Sequence, residues 1–242
     1  MTKSHKSFGV LYGKFVQGDT LIQGLTNYDP QNILIKKASL TDFIAEMEAK
    51  EKAVTTADVR FKDLVYKRKI FSFRRKGCDE NCIENRMRKA HSYIGSEIGK
   101  NSGAYKVIGG YIKVLKPKYK QRKPGQKRGK RRSISEQTFE SLNGYAVNTL
   151  AILESLGTAY APQNAGIQYA NFLAFVEEMI ELTQKIGRAE KDYLTATGER
   201  TDFFLGEKGV EKRQSLIKGY LASFSGGKKN QNYISYSRAI RG

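Results

Sequence analysis

Two short motifs with the same pattern, YDPQN at residues 28–32 and YAPQN at residues 160–164, stand 132 residues apart in this 242-residue chain. After each motif, seven further residues of the first half match residues of the second half at the same spacing of 132. The matched pairs are Ile35/Ile167, Ala38/Ala170, Phe43/Phe175, Ile44/Val176, Met47/Met179, Val54/Ile186 and Phe61/Tyr193. An internal repeat of this length is typical of a supersecondary unit that packs against its own copy or a neighbour. The fold must therefore accommodate one apolar pattern twice.

A second set of matches follows at a spacing of 127 or 128 residues. These pairs are Arg86/Arg213, Tyr93/Tyr220, Ile94/Leu221, Gly99/Gly227, Lys100/Lys228 and Tyr105/Tyr233. Each half of the chain thus combines a long helix, a shorter helix and a Gly-Lys cap followed by a tyrosine. This pattern resembles bacterial proteins that are built as tandem helical repeats with a tyrosine soon after each glycine-capped helix. The resemblance implies an all-helical bacterial protein and implies no particular activity.

Apolar residues recur at steps of three and four in several segments, which predicts amphipathic helices. These segments are residues 39–75, 80–98 and 135–156, and the second is expected to end in a left-handed cap at Gly99. Residues 7–23 mix apolar side chains with three glycines, so a short helix and irregular apolar packing both remain open there. The predicted fold class is all-α, with two homologous helical-bundle repeats.

Residues 113–132, KVLKPKYKQRKPGQKRGKRR, carry eleven Lys or Arg and no acidic residue. Pro117, Pro124 and two glycines oppose a stable helix, and the cations repel one another unless a polyanion neutralises them. We therefore predict an extended, solvated arm that joins a first repeat at residues 1–112 to a second repeat at residues 133–242. A solubilising linker between two domains is the alternative interpretation.

The net charge of +19 is distributed unevenly along the chain. Residues 1–112 hold 20 basic and 12 acidic groups, whereas residues 133–242 hold 12 of each. The commonest cellular polyanions are nucleic acids and anionic membranes. We therefore expect the arm and the first repeat to contact the polyanion, and the neutral second repeat to pack, to self-associate or to contact a protein.

A second cationic cluster, KRKIFSFRRK at residues 67–76, surrounds Phe71 and Phe73 with six cations at the end of the first predicted helix. Cations contact phosphates, and exposed aromatic rings stack on unpaired bases. In the alternative interpretation, both phenylalanines belong to the core and the cations only face water. The predicted nucleic-acid-binding residues are Lys116, Lys118, Lys120, Arg122, Lys123, Lys127, Arg128, Lys130, Arg131 and Arg132 of the arm, with Lys67, Arg68, Lys69, Arg74, Arg75 and Lys76.

The sequence offers no strong pattern for catalysis, a metal or a nucleotide cofactor. The segment GSEIGK has three residues between its glycines and is followed by Asn101, which does not fit a phosphate-binding loop. Cys78 and Cys82 would need two more metal ligands, and the histidines show no suitable spacing to them. His91 lies among Arg88, Lys89 and Tyr93, and its neighbours form no distinctive catalytic arrangement. We predict a non-enzymatic protein without cofactor or metal.

The predicted function is binding of DNA or RNA through phosphate contacts with little sequence selectivity, since no base-reading motif is evident. The alternative is a self-assembling scaffold protein whose arm contacts an acidic surface of a partner. A membrane role is disfavoured because no lipidation signal or amphipathic helix adjoins the arm. No apolar run approaches the roughly 20 residues that cross a bilayer, and two closely spaced cysteines fit a reducing compartment. The predicted location is the cytoplasm.

Overall fold

The computed structural model describes residues 8–72, 82–115 and 139–241, and these residues contain helices but no strand. The α-helices are α1 (Phe8–Gln23), α2 (Lys37–Ser72), α3 (Ile83–Ile94), α4 (Gly103–Leu115), α5 (Phe139–Ser155), α6 (Tyr169–Leu205), α7 (Val210–Ala222) and α8 (Gln231–Arg241). Over the described ranges, the all-α prediction is confirmed. In the same ranges, every helix is too short or too polar to cross a lipid bilayer.

Three predicted helices correspond to α2, α3 and α5, with boundaries that differ by a few residues. A π-helical turn at Gly95–Gly99 extends α3, and Gly99 has a φ of +108°, in the left-handed region expected of its cap. Residues 8–23, which the sequence left open, form α1. The sequence interpretation did not predict α4 or α8.

The predicted start of the arm is wrong for its first three residues. Lys113, Val114 and Leu115 form the last turn of α4, and Leu115 is only 1% exposed. The Leu115 side chain continues the buried stripe of Ile108 and Ile112, which a helix presents on one face at steps of three and four. Burial of this stripe stabilises a helix that the following cations alone would oppose. Arm residues 116–132 lie outside the described residues.

The chain divides into two compact units, and each unit combines segments from both halves of the sequence. Unit 1 contains Met1–Phe61 and Ala189–Gly242, and unit 2 contains Lys62–Arg188. The long helices α2 and α6 each contribute one part to each unit. The predicted division of the chain at the arm concerns sequence repeats rather than compact units, and it stays a prediction.

In unit 1, α1 packs against α7 and α8, and α7 also contacts the 3-10 turn Ile33–Ile35 that precedes α2. Its buried core includes Phe15, Ile22, Leu40, Met47, Phe204 and Tyr236. The parts of α2 and α6 in this unit run antiparallel. Lys50 pairs with Glu199 at 2.8 Å, and the rings of Phe61 and Tyr193 stack with centroids 6.3 Å apart.

In unit 2, α3 packs against α4, α5 and the 3-10 turn Ala165–Ile167 that precedes α6. Its buried core includes Ile83, Met87, Ile94, Ile108, Leu142, Phe172 and Met179. Helix α4 also contacts α5. Each unit therefore consists of helices that pack around one continuous apolar cluster.

The YDPQN and YAPQN motifs have the same local role, because each forms the turn that leads into a long helix. In both, the tyrosine hydroxyl donates to a carbonyl seven residues later, and the asparagine side chain accepts from a backbone N–H two residues later. The bonds are Tyr28–Ile35 (3.0 Å), Tyr160–Ile167 (2.7 Å), Asn32–Leu34 (3.0 Å) and Asn164–Gly166 (2.9 Å). The asparagines thus satisfy N–H groups that the first helical turn leaves without a partner.

Candidate nucleic-acid interface

Unit 2 carries most of the net positive charge of the protein. Its residues, 62–188, include 25 Lys or Arg and 11 Asp or Glu, a net charge of +14. Unit 1 has 18 basic and 13 acidic residues, a net charge of +5. A charge excess of one sign raises the local concentration of oppositely charged partners and their association rates. Of the two units, unit 2 therefore has the larger excess of positive charge.

The arm and residues 73–81, which contain the last three cations of the second cationic cluster, are here called the two cationic segments. Each is flanked on both sides by helices of unit 2. The arm connects Leu115 at the end of α4 to Phe139 at the start of α5, and both residues pack in the core cluster of this unit. The second segment, residues 73–81, connects Ser72 to Cys82, and both of these residues are buried. The attachment points of the two segments are thus fixed in one folded unit.

One contact brings these attachment points together. The guanidinium of Arg68 lies over the ring of Phe139, 3.9 Å from its centroid. Contacts of this kind contribute about 0.5–2 kcal/mol, more when they are shielded from water. The contact holds the last turns of α2, from which Arg74, Arg75 and Lys76 follow, beside the first described residue after the arm.

The three described residues of the second cationic cluster have different surroundings. Lys67 is exposed and pairs with Asp63 at 2.9 Å, and Lys69 is also exposed. An exposed pair of this type contributes at most about 1 kcal/mol, so a phosphate can replace the carboxylate. Arg68 is half-buried in its ring contact. Arg74, Arg75, Lys76 and the predicted arm residues from Lys116 to Arg132 lie outside the described residues.

Phe71 packs inside unit 2. Its ring centroid lies 5.2 Å from that of Phe175, and its side chain is half-buried. The Phe71 ring therefore packs against another aromatic ring of unit 2. This agrees with the alternative interpretation, in which the phenylalanines of the cationic cluster belong to the core. Phe73 lies outside the described residues.

Two cations of α3 make contacts within unit 2. Arg86 donates to the carbonyl of Gly166 at 2.6 Å, and its guanidinium lies 4.1 Å from the ring centroid of Phe175. Arg88 donates from Nε to Glu84 at 3.1 Å. Arg86 thus links α3 to the turn before α6 and to α6 itself, whereas the Arg88–Glu84 pair lies within α3.

Helix α4 carries an exposed lysine that the sequence interpretation missed, Lys106, and one that it had counted in the arm, Lys113. Lys106 and Lys113 are both exposed and stand seven residues apart, which places them on one face of the helix. The signal that identifies this helix is the spacing of Ile108, Ile112 and Leu115. Since α4 leads directly into the arm, these lysines extend the cationic surface onto a folded element.

His91 has a packing role between α3 and α4. Its ring stacks on Tyr105 with centroids 4.0 Å apart, and burial lowers the pKa of the imidazole below its usual value. Gly109 leaves room for the stack, since a Cβ there would lie 2.8 Å from His91 Nε2. Among the described residues, no three His, Cys, Asp or Glu side chains cluster as a metal site requires. Cys82 is buried in the core, and Cys78 lies outside the described residues.

The comparisons with known proteins assign no relative to this chain. No protein-family model, curated protein or solved structure matches it. The function is therefore inferred from the charge and the geometry of the two units.

Proposed function

We propose that the protein binds DNA or RNA in the cytoplasm without catalysing a reaction, and that unit 2 carries the binding surface. The observation that carries this proposal is the concentration of charge, a net +14 in residues 62–188 against +5 in unit 1. The Arg68–Phe139 contact supports it, because both cationic segments start from the same part of unit 2. The cations proposed to contact the polymer are those of the arm and the exposed lysines of unit 2, Lys67, Lys69, Lys106 and Lys113.

Binding of this kind draws its affinity from phosphates and has little sequence selectivity. Each lysine or arginine that neutralises a phosphate releases a condensed counterion, and this release supplies the free energy of association. Base-edge contacts, which read sequence, need a helix or ribbon shaped for a groove. The described cations stand on helix ends and exposed faces, and this arrangement favours backbone contacts.

Copurification of nucleic acid tests this proposal. The full chain is purified at low salt, the ratio of absorbance at 260 nm to that at 280 nm is measured, and separate DNase and RNase digestions identify the polymer. An arm variant and a unit 1 control variant each replace five cations with Gln. The arm variant changes Lys127, Arg128, Lys130, Arg131 and Arg132, and the control changes the exposed Lys191, Lys208, Lys212, Lys228 and Lys229.

We expect the wild type and the control to retain nucleic acid and the arm variant to lose most of it. Each variant lowers the net charge of +19 by five, so a general charge effect would reduce binding equally in both. Wild-type protein without nuclease-sensitive absorbance, or equal loss in the two variants, would contradict the proposal.

A self-assembling scaffold is the second candidate function. The observation that favours it is the exposure of large apolar side chains in unit 1, where Val59 and Leu194 are 60% and 61% exposed. Exposed apolar side chains of this size are suited to a protein partner. Sedimentation at 500 mM salt separates the two functions, because apolar assembly persists there while phosphate binding is lost.

We also propose that the chain consists of two homologous repeats. Interactions that support this equivalence occur in pairs at the spacings found in the sequence. Arg213 donates to the carbonyl of Leu34 and lies 4.1 Å from the ring centroid of Phe43, as Arg86 does with Gly166 and Phe175. Likewise, Tyr28/Tyr220 and Tyr160/Tyr93 form edge contacts at 5.0 and 5.3 Å, and Arg200 lies over Phe8 as Arg68 lies over Phe139.

In this interpretation, the repeats have exchanged their C-terminal helices. In unit 1, α7 and α8 of the second repeat pack on α1 of the first. In unit 2, α3 and α4 of the first repeat pack on α5 of the second. Each repeat thus completes the core of the other.

A further inference from the structure

Tyr66 on α2 is the one exposed aromatic side chain in the described part of the chain. It is 63% exposed, whereas every other aromatic residue in the described ranges is buried or half-buried. Phe71, which was expected among the cations as a stacking residue, packs on Phe175 instead. Within the described residues, Tyr66 contacts no other aromatic ring and makes no side-chain hydrogen bond. Both faces of its ring are therefore open to a ligand.

Lysines stand on both sides of Tyr66 along one face of α2. Lys62 lies four residues before it and Lys69 three residues after it, and these spacings place side chains on the same helix face. Both lysines are exposed and belong to unit 2 with Tyr66. Asp63, the one acidic residue of residues 62–69, pairs with Lys67 at 2.9 Å, so its charge is offset within the helix. Lys62, Tyr66 and Lys69 are here called the Tyr66 stripe.

The spacing of 132 residues between the two halves holds on both sides of Tyr66. Before it, Phe61 stacks on its own equivalent, Tyr193. After it, Arg68 and its equivalent Arg200 each lie over a phenylalanine ring. In the proposed equivalence of the repeats, the position that corresponds to Tyr66 is therefore fixed.

That position in the second half has neither an aromatic side chain nor flanking cations. The pairs at the spacing of 132 are Tyr66/Gly198, Lys62/Leu194 and Lys69/Thr201. Gly198 is exposed, and α6 continues through it as a helix. The fold thus forms without the Tyr66 stripe, and packing does not account for the combination of a ring and two lysines at this place.

A single-stranded nucleic acid matches the chemistry of the Tyr66 stripe. Its phosphates attract the two lysines, and its unpaired bases offer π-faces that stack on an exposed ring. In a duplex, neighbouring base pairs cover those faces. A protein partner fits less well, because lysine is depleted in protein–protein interfaces.

We infer that Tyr66 is a base-stacking residue, and that the Tyr66 stripe binds unpaired bases of single-stranded DNA or RNA. This inference rests on the proposed nucleic-acid binding and adds the class of polymer. Stacking tolerates any sequence, since every base has a π-face. It therefore adds affinity for single strands without adding sequence selectivity.

Fluorescence anisotropy of the full chain at one fixed salt concentration tests the stacking role. The three labelled probes are a DNA single strand, an abasic strand of the same length and a duplex of the same length. The abasic strand keeps the phosphates and lacks the bases. The variants are Tyr66→Ala, Tyr66→Phe and, as a matched control in unit 1, Leu194→Ala, whose wild-type side chain is 61% exposed. Because both positions are exposed, circular dichroism should show wild-type helical content in all variants.

We expect the wild type to bind the single strand more tightly than the abasic strand. Tyr66→Ala should weaken binding of the single strand about 5- to 150-fold, which corresponds to the loss of one stacked base. Its affinities for the abasic strand and the duplex should stay at the wild-type values. Tyr66→Phe keeps the ring, so it should bind all three probes as the wild type does, and so should Leu194→Ala.

Three outcomes would overturn the stacking role while phosphate binding by the wild type persists. Tyr66→Ala could weaken binding of all three probes equally, which would show that Tyr66 acts on the phosphate contacts. It could bind every probe like the wild type, which would leave the exposed ring to a protein partner. Tyr66→Phe could lose as much affinity as Tyr66→Ala, which would assign the effect to the hydroxyl. A wild type that binds none of the probes would contradict the proposed function itself, and this inference with it.

Discussion

Gly18 and Gly13 lie on the same helix but have different surroundings, which makes them a matched pair for a stability measurement. Nothing lies within 4 Å of a Cβ placed on Gly13, whereas Gly18 faces Tyr236. Gly13→Ala should stabilise the protein by about 0.5–1 kcal/mol, because alanine favours the helix. Gly18→Ala should destabilise it by about 1–3 kcal/mol through overpacking. Urea unfolding measures both, and equal effects would show that α1 and α8 do not approach closely at Gly18.

His91 should make the stability of the protein depend on pH. Burial lowers the pKa of its imidazole in the folded state, so the unfolded chain binds a proton first as the pH falls. The stabilisation is complete above the usual histidine pKa near 6.5 and is lost as the pH falls through the lowered folded value. His91→Phe retains a ring to stack on Tyr105 and removes the titration.

Urea unfolding at pH 8 and pH 5 provides the measurement. The wild type should lose more stability between these pH values than His91→Phe does. His5 is present in both proteins, so its contribution cancels in the difference. An identical loss in the two proteins would show that the folded state does not disfavour the charged imidazole.

At the scale of the element, the turns before α2 and α6 should contribute equally to stability. Tyr28→Phe and Tyr160→Phe each remove one buried hydroxyl and leave a carbonyl, of Ile35 or Ile167, without that donor. Each change should cost about 0.5–1.5 kcal/mol, the net contribution of a typical hydrogen bond. Guanidinium unfolding of both variants measures this cost. A silent change in one turn would contradict the structural equivalence of the two motifs.

The helices that the sequence predicted are those with long stripes of apolar residues. Periodicity identified α2 and α3, and Gly99 was placed in its left-handed cap. Helix α4 was missed because Gly109 and Gly110 weaken its helical signal and because Leu115 stands among the cations of the arm. Burial of the Ile108–Leu115 stripe outweighs that local preference.

Sequence patterns did not predict that each compact unit combines segments from both halves of the chain. Periodicity places Phe43 and Phe175 on the apolar faces of their helices, but it does not indicate which half of the chain covers each face. The close approach of Gly18 to Tyr236 could not be predicted either, because these residues stand more than 200 residues apart in the sequence and meet only where α1 packs on α8. The candidate site was predicted only as a set of cations. Tertiary contacts decide which of these cations pack against other side chains, as Arg68 does on the ring of Phe139.

At the scale of the whole molecule, both units have an apolar core but the positive charge is concentrated in one of them. Unit 1 has a net charge of only +5, whereas unit 2 has a large excess of cations and the attachment points of both cationic segments. Variants confined to one unit therefore test whether the proposed nucleic-acid binding depends on the charge of unit 2.

The salt dependence of nucleic-acid affinity tests the central claim most directly. Fluorescence anisotropy with labelled duplex DNA and single-stranded RNA, at salt concentrations from 50 to 200 mM, gives the slope of log affinity against log salt. Six phosphate contacts on duplex DNA predict a slope near −5 and a loss of about a thousandfold over this range. The five-Gln arm variant should flatten the slope by several units, and the unit 1 control should keep the wild-type slope. Salt-insensitive binding, or an arm variant with the wild-type slope, would contradict the account.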